Sequence, residues 1–266
     1  MKGLLQYFKV SVRVEVRGQM VYRANFFLGL IMIAVRVFML IALWTALYAG
    51  RAEIDGIDLA TMKFYTLASI IFEVLIAANV EHAISDKIRD GSIAMVLTRP
   101  ASYPVSVCIE QFAFTAQNII LRVAPYTIFL LLSGLGFGAR VYLGPAFWLS
   151  TLLAYFIMLF YQMFFGMIAF WTMEIDGILE TRNAVMLVFS GSMVPLWFFP
   201  DWLFSVARFL PFQAMYNTPL SILIGRISGP DIWTALAVQA LWLAVFFLLS
   251  LYFWGRSRQR VVVNGG

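Results

Sequence analysis

The 266-residue sequence holds one cysteine, Cys108, and one histidine, His82. A disulfide within the chain is thereby excluded, and a zinc cluster has too few ligands to form. Charge is scarce as well. Asp, Glu, Lys and Arg supply 12% of the residues, against about 25% in an ordinary soluble domain. The sequence contains no G-x-x-x-x-G-K-S/T phosphate loop, no H-E-x-x-H and no serine or cysteine elbow. Gly134, Gly136 and Gly138 are closely spaced, but no Lys-Ser/Thr follows, so they read as a helix end and turn. Uphill work by such a chain needs energy from another subunit.

What is abundant is apolar: 62% of the residues are hydrophobic and 17% aromatic, which fits a membrane protein and no soluble class. A span takes about 20 apolar residues, so the chain accommodates about six helices and little else. Apolar runs bounded by charge, Pro or Gly fall at 26–48, 64–80, 105–132, 147–171, 184–199 and 232–254. The first is too long for the core of a cleaved signal peptide and reads as a retained span. The third is long enough to tilt or to break at Pro125, and the fifth stops short before Pro200. The stretch 200–230 is apolar yet interrupted by Pro211, Pro219 and Gly225. It reads as a hairpin of two short helices that enters the membrane and returns, which protein must bury. The expected fold is an all-α polytopic membrane protein in one domain.

The net charge of +5 sets topology and contacts membrane lipids rather than nucleic acid. With the N-terminus in the cytoplasm, Lys2, Lys9, Arg13, Arg17 and Arg23 lie inside, followed by Lys87, Arg89 and Arg99, then Arg182, then Arg256, Arg258 and Arg260. The outside keeps Arg51, Lys63, Arg140, Arg208 and Arg226, so both termini are expected inside a bacterial inner membrane. Within 1–24, Val10, Val12, Val14 and Val16 alternate as in a strand, while Leu5, Phe8, Val12 and Val16 form a helical stripe flanked by cations. An interfacial helix is preferred, because a lone strand edge at a membrane surface leaves its backbone groups unpaired.

The loop 81–100 is the most informative. Ile84 and Ile88 share a helical face, Asp86, Lys87, Arg89 and Asp90 surround it, and Gly91 can supply a left-handed cap. The run from Ile88 through Gly91 to Pro100, with Tyr103 and Pro104 opening the next span, resembles the cytoplasmic loop of type 2 membrane (permease) subunits of ATP-binding-cassette exporters. Phe199 to Leu203, Leu210 to Phe212 and Pro219 to Gly225 are similar to the same family's re-entrant hairpin before the last span. The basic N-terminus and six-span layout agree, so the resemblance covers nearly the whole chain.

The resemblance implies a dimer with an identical or related permease on two cytoplasmic ATPase subunits. ATP and Mg would be held by the ATPase, with no cofactor bound by this chain. It also implies ATPase coupling through Ile84, Asp86, Lys87, Ile88, Arg89, Asp90 and Gly91, and an outer gate at Pro200, Trp202, Pro211 and Pro219. Arg122 and Pro125 match no pattern of the family.

Four charges at bilayer depth are informative, because buried charge is costly there: Arg36, Glu73, Glu110 and Arg122. Counting about 1.5 Å per residue from the outer ends of the first two spans puts Arg36 and Glu73 at similar depth, and they are expected to pair. Such a pair either holds two helices together or lines a pathway. His82 reads as a surface residue. Glu174, Asp176, Glu180 and Arg182 read either as a solvated loop or as a second ATPase contact. The tryptophans near span ends form an interfacial belt.

A non-transporting scaffold or sensor subunit is the alternative function, and a lipid-modifying enzyme fits poorly with one histidine. The narrow polar content of the spans favours an amphipathic or hydrophobic substrate over a long charged polymer.

Overall fold

The computed structural model of the protein describes residues 10, 23–97, 103–134, 138–172 and 174–257. The interfacial helix expected at 1–24 lies almost wholly outside the described residues. In chain order the elements are α1 (Arg23–Leu47), a two-stranded hairpin of β1 (Glu53–Ile54) and β2 (Ile57–Asp58), α2 (Leu59–Ile76), α3 (Val80–Arg89) and α4 (Ile93–Leu97). There follow α5 (Tyr103–Asn118), a π-helical turn (Ile119–Val123), α6 (Ala124–Ser133), α7 (Pro145–Thr172) and α8 (Asp176–Phe189). A 3-10 turn (Leu196–Phe198) leads to α9 (Asp201–Phe209), α10 (Pro211–Met215), α11 (Asn217–Leu223) and α12 (Asp231–Ser257).

Five helical stretches among the described residues are long and apolar enough to cross a membrane: Leu28–Leu47, Leu59–Arg89 (α2 taken with α3), Tyr103–Leu132 (α5 through α6), Pro145–Thr172 and Asp231–Ser257. The run 184–199 does not form one helix. Its apolar residues belong to α8, a helix of 14 residues that ends at Phe189. The Ser190 hydroxyl accepts the Ser192 backbone N–H at 3.2 Å, and Gly191 takes φ +77°, so side-chain hydrogen bonding and a left-handed turn replace the next helical turn. At about 1.5 Å per residue, α8 extends roughly 21 Å, less than the hydrocarbon thickness.

Pro125 does not break the third run. The π-turn at Ile119–Val123 lies immediately upstream, and its wider hydrogen-bond spacing accommodates a residue that has no N–H to offer the preceding turn.

α7 is the central helix. α12 packs along one side of it and α3 along another, with α10 and α11 seated against it. Small residues set the distance. A Cβ at Gly166 would lie 2.9 Å from the Glu81 Cα and 3.0 Å from Ile84 Cδ1, so α3 docks on α7 only because position 166 has no side chain. Buried Gln239 on α12 donates to the carbonyls of Ser150 and Ala214 at 3.1 and 2.8 Å, and accepts from the Ser150 hydroxyl at 2.8 Å, locking α12, α7 and α10 together. Large apolar side chains such as Phe38, Met39, Leu132, Trp148 and Leu248 are exposed, as lipid-facing positions are.

Candidate functional site: a clamped helix and a polar cavity

α3 is amphipathic, and its two faces have different partners. Val80, Glu81, Ile84 and Ser85 are buried. His82, Asp86, Arg89, Asp90 and Gly91 are exposed. Gly91 adopts φ +75°, the left-handed conformation that ends the helix, and Asp90 accepts the Ser92 N–H at 2.8 Å. Hydrogen bonds from the Ser92 side chain and backbone hold the Asp90 carboxyl below its ordinary range, so this end stays anionic.

The break between α2 and α3 leaves backbone groups without helical partners. Two glutamines supply them. Gln111 on α5 accepts the Asn79 N–H at 3.1 Å and donates to the Ala77 carbonyl at 3.0 Å, while Gln162 on α7 accepts the Val80 N–H at 3.3 Å.

Two ion pairs fix the helix further. Lys87 reaches Glu110 on α5 at 2.8 Å and lies over the Tyr103 ring. Glu81 receives Arg182 of α8 in a bidentate contact: Arg182 Nη2 donates to Oε1 at 2.7 Å and Nη1 donates to Oε2. Both side chains are buried, 5% and 6% exposed, and the guanidinium sits over the rings of Tyr161 and Phe165 on α7.

The expected coupling residues therefore divide. Asp86, Arg89, Asp90 and Gly91 face outward, with Asp86 and Arg89 paired at 2.7 Å. Ile84 is fully buried and Lys87 is tied to α5, so these two are anchors of the helix and not part of its outer face. Ile88 is half-buried beneath it. Arg182, grouped by sequence with a solvated loop, is instead the buried end of the clamp.

Arg36 and Glu73 meet at 2.9 Å between α1 and α2. Glu110 is not with them but pairs with Lys87, and Arg122 lies on the π-turn. Glu73 also lines a cavity of about 500 Å³ together with Glu180, Asn183, Ser190, Ser192 and Tyr216. On α8, Leu179 and Arg182 face the protein, while Glu180, Asn183, Ala184 and Leu187, at helical spacing, face this cavity.

Beyond the cavity, the segment 211–224 is almost continuously buried, Pro211 and Pro219 included, whereas Pro200, just before the amphipathic α9, and Trp202 on it are exposed. It is held by the segments around Asp55, Tyr142 and Trp197. The Tyr142 N–H donates to the Leu223 carbonyl at 2.7 Å, Arg226 donates to the Asp55 carbonyl at 3.1 Å, and Arg226 lies over Trp197 at 4.7 Å. Tyr65 donates to the Gly191 carbonyl at 2.8 Å, fixing the turn after α8.

These features define a multi-pass membrane protein built around one central helix. Residues 29–265 match the family described as ABC-2 family transporter protein. The chain belongs to that family and is a transmembrane permease component. A comparison with curated proteins finds no match.

Proposed function

We propose that this chain is the permease subunit of an ATP-driven exporter, forming the translocation path and taking its energy from a separate cytoplasmic ATP-binding-cassette ATPase that holds ATP and Mg. A second permease, identical or related, completes the path, and lipid surrounds the assembly. In this reading α8 and the turns after it make a sixth crossing, the segment 200–230 is a re-entrant outer gate, and both termini lie on the cytoplasmic side of a bacterial inner membrane.

The observation that carries the reading is the construction of α3. Its inner face is clamped to α5, α7 and α8 by Lys87, Ile84 and Glu81, while Asp86, Arg89 and Asp90 pair with no other element among the described residues. A helix anchored rigidly inward and charged outward suits the transfer of force from a partner into the spans. Motion imposed at α3 passes directly to α8 through Arg182.

The test is affinity purification of the tagged protein in mild detergent. A stoichiometric ATPase is expected to co-purify, and reversals at Asp86, Arg89 and Asp90 are expected to release it without loss of fold. Retention of the ATPase through all three reversals would move the contact toward Glu174 and Asp176. Absence of any ATPase from a folded preparation favours a non-transporting scaffold or sensor.

A further inference from the structure

The cavity beside α8 has an electrostatic character that composition alone does not convey. Its charged lining groups are two carboxylates, Glu73 and Glu180, and no cationic side chain lines it among the described residues. Two arginines touch lining residues, and each is already paired: Arg36 with Glu73 at 2.9 Å, and Arg182 with Glu81, its Nη2 also donating to the Asn183 Oδ1 at 2.6 Å. Glu180 has no ion-pair partner among the described residues.

A second observation points into the same space. Tyr216 is 5% exposed and lines the cavity, yet its hydroxyl makes no hydrogen bond with any described residue. A buried phenol normally finds a partner. Tyr216 lines the cavity together with Glu180 and Asn183 of α8, with Met186 and Leu187 supplying apolar wall.

We propose that this cavity is the substrate site of the permease and that it takes amphipathic organic cations. The inference rests on the permease reading above and adds the substrate class. A volume of about 500 Å³ lies in the range that encloses a small molecule. The unanswered carboxylate of Glu180 meets the cationic centre, the Tyr216 hydroxyl supplies one polar contact, and the apolar wall takes the hydrophobic body. An anion entering the same space would meet the unpaired Glu180 carboxylate, while Arg36 and Arg182 are already held by Glu73 and Glu81.

Tetraphenylphosphonium and tetraphenylborate test this directly, since they share size and shape and differ in the sign of charge. Binding is measured by equilibrium dialysis to the permease–ATPase complex in phosphatidylcholine nanodiscs, with ATP hydrolysis followed in parallel. Saturable binding of the phosphonium is expected, with none of the borate. Glu180→Gln, an isosteric change at an exposed position, is expected to weaken phosphonium binding about tenfold or more, as the loss of a charge-assisted contact does. Tyr216→Phe is expected to weaken it less.

Equal binding of borate, or phosphonium affinity unchanged in Glu180→Gln, overturns the assignment. So does displacement of the phosphonium by phosphatidylglycerol with no effect of Glu180→Gln, which assigns the cavity to lipid. An ATP-hydrolysing complex that binds no phosphonium removes the cation site and leaves the permease intact. Failure of any ATPase to associate removes the permease reading itself.

Discussion

Replacing Arg182 by Met removes one end of a bidentate ion pair whose two side chains are 5% and 6% exposed. The Glu81 carboxylate is then left buried among α3, α7 and α8 without its cation. Breaking a buried pair on one side costs about 3–5 kcal/mol, whereas replacing both members by uncharged groups of similar volume is close to neutral. The same arithmetic applies to Glu81→Gln, which strands the guanidinium over Tyr161 and Phe165. Each single variant is therefore expected to lose about 3–5 kcal/mol, and Glu81→Gln with Arg182→Met is expected to recover most of it. Equilibrium unfolding in mixed micelles, titrated with a denaturing detergent and followed by tryptophan fluorescence, reads the cycle. A single variant within about 1 kcal/mol of the parent, or a double variant no better than the worse single one, would refute a buried pair of this strength. If the pair also transmits force, the double variant regains stability while substrate-stimulated ATP hydrolysis stays low. Full recovery of both assigns Glu81 and Arg182 to anchoring alone.

Gly225 is the tightest glycine of the segment 200–230: at φ +75° an added Cβ would lie 2.2 Å from the Tyr142 ring. Gly225→Ala is expected to reduce the folded yield on size exclusion sharply, whereas Gly56→Ala, at the same φ in open space, costs only about 1 kcal/mol of backbone strain. Gly166→Ala pushes against the Glu81 backbone and is expected to destabilise by about 1–3 kcal/mol, with ATPase coupling lost before the fold. The Arg36–Glu73 pair predicts that Arg36→Glu and Glu73→Arg each lower the level of assembled protein in membranes, and that the swap restores part of it. A swap no better than either single change removes the pairing argument.

The membrane class, the long apolar helices and the meeting of Arg36 with Glu73 were legible because each depends on runs of sequence and one rise per residue. Where the reading departed from the structure, the controlling interaction was non-local. The run 184–199 is apolar throughout its first half, but the Ser190–Gly191–Ser192 turn and the Tyr65 hydroxyl on the Gly191 carbonyl decide that α8 stops at Phe189. Arg182 lies among charged residues and therefore reads as solvated. Its burial depends on Glu81, 101 positions away, and on two aromatic rings of α7. Gln111 and Gln162 carried a signal that could have been weighed, since an amide inside an apolar span needs partners. Those partners are the freed backbone groups of Ala77, Asn79 and Val80.

The position of that break gives the clamp its consequence. A continuous helix from Leu59 to Arg89 would transmit any push on its charged end along its own axis into α2. The interruption at 77–79, satisfied by amides from α5 and α7, would under the coupling proposed above make α3 a separate lever instead. Its load then falls on the lateral ties, and the tightest of these is Glu81 with Arg182 on α8. α8 is also the helix whose other face lines the cavity with Glu180, Asn183 and Leu187. Reconnecting the lever tests this route. Replacing Asn79 with Ala favours helix through 77–79 and is expected to cost about 1–3 kcal/mol, because the buried Gln111 and Gln162 amides lose backbone partners. It should reduce the coupling of ATP hydrolysis to substrate binding, because force is redirected into α2. Unchanged coupling in a variant shown by amide exchange to be helical across 77–79 would mean that the break is only a packing solution.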